Sequence, residues 1–106
     1  MAEFFNKIWE KLMVVLTPGL MIPNWTELKG YMGDTMRIMS VSEEAIVVQA
    51  PLAKHLQRIP RDDFEKFWQI WEDYQSGRIP RGEITELTRY SKYIISILHW
   101  LETKTI

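Results

Sequence analysis

The 106-residue sequence contains no cysteine, which excludes disulfide bonds, thiolate metal ligands and cysteine nucleophiles from this chain. It contains only two histidines, His55 and His99, and they fall in different segments. No serine or lysine stands in an activating pattern, and no glycine-rich phosphate loop occurs. We therefore expect no catalytic residues, no metal ligands and no cofactor. The sequence shows no feature of an enzyme with a small-molecule substrate.

A strong charge of one sign and long apolar runs are also missing. The formal net charge is −1, so the chain as a whole sets up no field that attracts nucleic acid or an anionic membrane. The apolar run at residues 12–16 is far shorter than the ~20 residues of a membrane-spanning helix. Residues 1–16 mix both charges with apolar side chains, unlike a secretory signal. These absences predict a cytoplasmic protein without a membrane span.

What the sequence does contain is typical of one globular domain. Hydrophobic residues make up 46% and charged residues 25% of the chain, close to the averages for globular proteins. A chain of this length can bury a core without help from metals or disulfides. We expect a single domain over residues 1–106. Its predicted parts are an amphipathic N-terminal helix at 1–17, a β-hairpin at 35–50 and a three-helix unit at 58–103.

The N-terminal segment carries apolar residues at the three- and four-residue spacing of an amphipathic helix. A Thr-Pro-Gly sequence at 17–19 ends this helix, because proline cannot continue the hydrogen-bond ladder and glycine favours a turn. A helix with this many aromatic residues is suited to packing on the core or to contact with another protein. The candidate protein-contact residues are Phe4, Phe5, Ile8 and Trp9, and the partner is another protein or a second copy of the chain, which would make a homo-oligomer.

Two short runs of branched and apolar residues within 35–50 predict a pair of strands, joined by a polar connection at 42–44. The preceding segment, 20–34, is harder to interpret because its two glycines weaken any helix there. We expect that segment to be irregular, with one turn of helix at most. Two strands alone are marginal in water, so the hairpin must pack against helices or extend by pairing elsewhere.

The C-terminal half has the strongest helical pattern. One helix is predicted to begin at Asp62 and to end at Ser76 and Gly77, because glycine commonly follows the last helical residue. A shorter helix near Glu83 and a long apolar helix from Ser91 complete the unit. The predicted fold class is α+β, predominantly helical, with four helices and one β-hairpin. The aromatic stripe of the first of these helices is Phe64, Phe67, Trp68, Trp71 and Tyr74.

Residues 83–98 have the pattern of a helix-turn-helix, with a short helix, a polar turn and a second helix that begins at a serine. With the hairpin as a wing, residues 35–103 resemble a winged-helix arrangement in outline. The resemblance implies a DNA-binding domain that acts through residues 78–103, with one exposed face of the second helix in the major groove. The candidate nucleic-acid-binding residues are Arg58, Arg61, Arg78, Arg81, Arg89, Lys92, Ser96 and His99.

Two hypotheses for the function therefore stand, together with the reading that the chain is part of a larger assembly. The first is a small non-enzymatic module that binds protein or itself, because the sequence has a surplus of large apolar residues. The second is nucleic-acid binding, which the neighbouring acidic residues oppose by neutralising the arginines. The carboxylates of Glu65, Glu72 and Asp73 are expected to lie on a solvated helix face rather than in a metal site.

Overall fold

The structure is a computed structural model, which describes residues 2–26, 30–50, 55–79, 83 and 90–105. The helices and one face of a β-sheet enclose a single hydrophobic core. In chain order, the elements are α1 (Ala2–Val15), β1 (Met21–Thr26), β2 (Gly30–Val41), β3 (Ala45–Gln49), β4 (Gln57–Pro60), α2 (Arg61–Trp68), α3 (Trp71–Gln75) and α4 (Ser91–Thr105).

Within the described residues, four strands form one antiparallel sheet in the order β1-β2-β3-β4. Each strand pairs with the next one along the chain, so the sheet is a meander. Side chains alternate between the two faces of a strand, which places every second residue in the core. The strand residues that face the core and are fully buried are Ile22, Met36, Ile38, Ile46, Val48 and Ile59.

The prediction of a predominantly helical, winged-helix-like fold with one hairpin is wrong. The predicted hairpin exists, with a connection at 42–44, but it is the middle of a longer meander that also contains β1 and β4. The chain is a sheet-rich α+β fold. Strand β1 was missed because the glycines at 30 and 33 favoured irregular structure, and β4 because four residues are too short a run to show a strand pattern.

The prediction that residues 20–34 are irregular is also wrong, because they form β1 and the first part of β2. Pro23 is compatible with β1 because this strand lies at the sheet edge, where a residue without a backbone N–H is tolerated. The register between the two strands shifts between Pro23 and Trp25. Gly33, with φ of 91°, lies on the β2 side of this irregularity in a conformation that glycine accepts readily.

The predicted N-terminal helix is confirmed as α1. Its apolar stripe is directed into the core, where Phe5 and Trp9 are 1% and 2% exposed. Gly19 follows the helix with φ of 94°, which allows the chain to turn back toward the sheet. The Gly19 N–H then donates to the carbonyl of Ile38 over 2.7 Å, so the end of the helix is tied to β2.

The prediction of one continuous helix from Asp62 to the stop at Ser76 and Gly77 is wrong, because the segment forms two shorter helices. Its first part, α2, begins at Arg61 and ends at Trp68, and α3 begins at Trp71. Between them the Ile70 N–H bonds to the carbonyl of Phe67, three residues back, so the last turn is tighter than an α-helix. The predicted stop is confirmed, since Gly77 follows α3 with φ of 79°.

The last helix, α4, confirms the prediction of a long apolar helix from Ser91. Its core-facing residues include Ile94, Ile97 and Leu101, and its Glu102 carboxylate anchors α3. The Trp71 indole N–H donates to Glu102 Oε1 over 2.5 Å, and Gln75 Nε2 donates to Glu102 Oε2 over 2.8 Å. The short helix predicted near Glu83 lies outside the described residues, except for Glu83 itself.

Among the described residues, no helix combines the length and the apolar character that crossing a membrane requires.

The two hydrogen bonds to Glu102 predict that Glu102→Ala destabilises the fold by about 1–3 kcal/mol, because the half-buried donors on α3 lose their acceptor. The measurement is the free energy of unfolding in urea. Glu10→Ala, at an exposed position of α1, is the matched control and should stay within about 0.5 kcal/mol of the wild type. Equal stabilities for the two variants would contradict the assigned role of Glu102.

Candidate functional site

Strand β1 is an edge of the sheet, and α4 runs along it. The backbone N–H of Trp25 donates to the hydroxyl of Ser96 over 2.9 Å, and Ser96 is only 1% exposed. The same hydroxyl donates to the Lys92 carbonyl one turn earlier, at 3.1 Å. Nearby, the buried Asn24 amide donates to Asp34 Oδ1 over 2.9 Å. The helix therefore satisfies a backbone donor that an edge strand leaves unpaired.

Three aromatic rings meet where α4 passes β1. The rings of Trp25 and His99 are stacked, with centroids 3.8 Å apart and planes 4° from parallel. Tyr31, which lies opposite Trp25 in the strand register, meets His99 edge-on at 5.6 Å. Each ring comes from a different element, β1, β2 or α4. This arrangement holds His99 in one orientation.

A cavity of about 220 Å³ opens beside this cluster, between the exposed side of β1 and α4. We refer to it as the aromatic groove. Among the residues that the structure describes, no lysine, arginine, aspartate or glutamate lines it, and two of the lining residues are large, exposed side chains: Tyr31 is 62% exposed and Met21 is 46% exposed. The groove is lined by Met21, Pro23, Tyr31, His99, Trp100 and Thr103.

Among the described lining residues, His99 is the one whose side chain titrates near neutral pH. Burial lowers the pKa of His99 below its ordinary value of 6.5, because desolvation disfavours the imidazolium ion. The nearby Glu102 carboxylate acts in the opposite direction and is the smaller influence. At pH 7 the ring is therefore mostly neutral, and none of the described lining residues carries a charge.

Two helix residues predicted to face nucleic acid contact the sheet instead. Ser96 was expected on an exposed face of α4, and this expectation is wrong because the residue is buried against β1. His99 is half-buried and stacked on Trp25. Lys92 is exposed, with its ammonium 5.4 Å from the ring centre of Tyr93. The physical reason is β1 itself, a strand that the sequence pattern did not reveal.

The predicted arginine patch is described only in part, because Arg81 and Arg89 lie outside the described residues. Arg58 lies 3.7 Å from the carboxylate of Glu44, and Arg78 lies 2.6 Å from that of Asp73. Both pairs are largely exposed and therefore contribute little stability.

Arg61, a further member of that predicted patch, packs against α1. Its guanidinium donates to Asn6 and lies over the rings of Phe5 and Trp9, at 5.4 and 5.8 Å from their centres. A cation in this position is attracted by the electron-rich ring faces. The contact fixes the start of α2 against α1.

The predicted protein-contact residues of α1 lie mostly in the core. Phe5 and Trp9 are buried, and the Trp9 ring packs edge-on against Phe64 at 5.4 Å. Ile8 is partly buried against the same core, and the side chain of Phe4 lies outside the description. The two most aromatic positions of this set therefore have almost no surface to offer a partner.

The sequence reasoning missed Met21, Trp25 and Tyr31, which the structure places in or beside the groove. The available signal was a tryptophan and a tyrosine on either side of a short glycine-containing connection, which is consistent with a hairpin. That signal was outweighed by the glycines, which were taken to mark irregular structure.

A second cavity, of about 360 Å³, lies between α1, the connection from β2 to β3 and the start of α2. It is lined by Trp9, whose indole N–H is the one buried side-chain polar group without a partner among the described residues. That N–H is sealed from solvent, so the cavity does not present it to a ligand. The remaining lining residues are Asn6, Glu10, Met13, Glu43 and Arg61.

The part of the chain that the structure describes contains no cluster of three or more histidine, cysteine, aspartate or glutamate side chains placed to hold a metal ion. Comparison with protein-family models, curated proteins and solved structures gives no match. The fold and the groove thus define the chain as a small sheet-rich α+β domain with an aromatic surface cavity.

The Ser96 contact predicts that Ser96→Ala destabilises the fold by about 1–3 kcal/mol, because the Trp25 N–H loses its acceptor under the helix. Ser40→Ala, at an exposed strand position, should change the free energy of unfolding by no more than about 0.5 kcal/mol. Hydrogen exchange at the Trp25 amide provides a local measurement. It should accelerate in Ser96→Ala beyond what the loss of global stability explains, and unchanged exchange would contradict the assignment.

The lowered pKa of His99 predicts a specific loss of stability in acid. Below pH 6.5 the unfolded chain gains a proton at this residue before the folded protein does, so stability falls as pH drops through 6.5 toward the folded pKa. Above 6.5 both states are neutral and the full stability is present. His99→Phe keeps a stacking ring but does not titrate, so its stability should fall less between about pH 7.5 and pH 5.5. Identical pH profiles would contradict this prediction.

Proposed function

We propose that the protein is a small non-enzymatic interaction module that binds a protein partner, or a second copy of itself, through the aromatic groove. The observation that carries the proposal is the exposed pair Tyr31 and Met21 beside the stacked rings of Trp25 and His99. The contact surface is therefore placed on the flank of α4 with β1 and β2. We do not propose α1 as the contact surface, because its Phe5 and Trp9 side chains are buried.

Rigid aromatic surfaces are suited to protein recognition for two reasons. Aromatic residues bury a large area on binding and are enriched among the residues that dominate binding energy. A ring that is already held in place loses little conformational freedom when a partner binds. The stack of His99 on Trp25 at 3.8 Å supplies such a prearranged wall, and Tyr31 adds an accessible ring at its edge.

The size of the groove also favours a macromolecular partner. Pockets for small molecules commonly enclose about 300–1,000 Å³. The aromatic groove encloses about 220 Å³, which suits one or two anchoring side chains of a larger partner. Because the described lining residues carry no charge at pH 7, the anchoring group should be uncharged.

The test is a selection from a random displayed-peptide library on the immobilised protein, with removal of clones that also bind the Tyr31→Ala variant. We expect surviving peptides whose affinity falls about tenfold in Tyr31→Ala, because this ring is the most exposed part of the groove. Leu56→Ala is the matched control, an exposed apolar residue that does not line the groove, and should change affinity less than about twofold.

Self-association is measured on the same variants by light scattering. A dimer that dissociates in Tyr31→Ala but persists in Leu56→Ala would support the form of the proposal in which the partner is a second copy. A monomer that yields no Tyr31-dependent peptide would contradict the proposal.

Duplex DNA tests the hypothesis of binding through residues 78–103. Salt-dependent binding that is lost when Arg78 and Lys92 are neutralised would favour that alternative instead.

A further inference from the structure

We propose that the occupant of the aromatic groove is a proline-rich segment of a partner protein in the polyproline II conformation. This inference rests on the proposed function and names the kind of partner. It follows from three properties, namely the polar groups of the groove, the state of the neighbouring strand edge and the size of the groove.

The first property is the combination of aromatic walls with hydrogen-bond donors. Tyr31, Trp100 and the neutral His99 each carry one O–H or N–H donor, and none of them carries a charge at pH 7. A polyproline II segment makes no internal hydrogen bonds, so its carbonyl groups are free to accept. Its pyrrolidine rings are apolar and uncharged, which matches the aromatic walls. Aromatic-lined grooves are the usual sites for such segments.

The second property is the state of the β1 edge. An extended peptide that added a strand to the sheet would need free backbone groups along that edge. At Trp25 the outward N–H is already bonded to Ser96, and α4 runs along the strand. Strand addition is therefore blocked at Trp25, beside the groove, whereas a polyproline II segment needs no ladder of backbone hydrogen bonds.

The third property is size. A helical partner places anchors at positions i, i+3, i+4 and i+7, which span about 10 Å along its axis. A cavity of about 220 Å³ does not hold such a row of side chains. One or two proline rings require less space, and their restricted backbone loses little entropy on binding.

The experiment is a titration with a blocked polyproline peptide of about three turns, roughly nine residues. Binding is followed through the indole N–H resonances of Trp25 and Trp100 in two-dimensional NMR spectra. The control peptide has the same length and alternates alanine with glutamine. We expect shifts at both indoles with the polyproline peptide, little dependence on salt because neither side is charged, and no comparable shifts with the control peptide.

Protein variants locate the binding. Tyr31→Ala should weaken the binding of polyproline about tenfold, and Met21→Ser should also weaken it. Leu56→Ala should change it less than about twofold. Tyr31 and Met21 are exposed, so both variants should melt like the wild type, which separates loss of binding from loss of folding.

The outcomes distinguish this inference from the proposed function. If polyproline does not bind but Tyr31-dependent peptides of other composition are selected, the inference is overturned and the proposed function stands. Equal binding of polyproline to the wild type and to Tyr31→Ala also overturns the inference, because the site is then elsewhere. A single-stranded oligonucleotide is the further probe. If it shifts the same indole resonances and polyproline does not, the inference is overturned and the groove is assigned to stacked nucleic-acid bases. If no peptide of any kind depends on Tyr31, both proposals are overturned.

Discussion

The hydrogen bond from the Trp25 backbone to Ser96 is the contact on which the candidate site depends. A backbone N–H under a packed helix must find an acceptor, since a buried unpaired donor is costly. Ser96 supplies that acceptor from α4 and so fixes the helix along the edge of the sheet. Once the helix lies there, His99 is one turn further on and stacks on the Trp25 ring. The groove is the space that this arrangement leaves on the exposed side.

The aromatic residues of the chain divide into two groups with different tasks. Phe5, Trp9 and Phe64 close the core between α1 and α2, and they are almost inaccessible. Tyr31 and Trp100 line a surface cavity that a ligand can enter. The amphipathic pattern of α1 explains the first group, because a helix stripe of this kind usually faces the core. The second group is accessible because it lies at the boundary between the sheet edge and a helix.

Elements with a clear local pattern were predictable. The helix α1, the hairpin within 35–50, the helix from Ser91 and the stop at Gly77 follow from residue spacing and turn residues. The strand β1 was not predicted, because Pro23 and the glycines at 30 and 33 obscure its strand pattern, although its partner β2 follows after a short connection. The candidate site was missed for the same reason. Ser96 and His99 were singled out as polar positions of α4, but β1, the strand that they contact, was not recognised.

The sequence by itself determined that the chain has a core, that α1 stops before the Thr-Pro-Gly sequence, that α3 stops at Gly77 and that α4 begins at Ser91. It also determined which chemistries the chain lacks through the absence of cysteine. These properties depend on composition and on spacing within a few residues. Only the tertiary structure decided which aromatic residues are accessible and how Trp25, Tyr31 and His99 are brought together. Exposure depends on what the rest of the chain covers, and His99 is separated in sequence from the strand residues it meets. No local pattern contains that information.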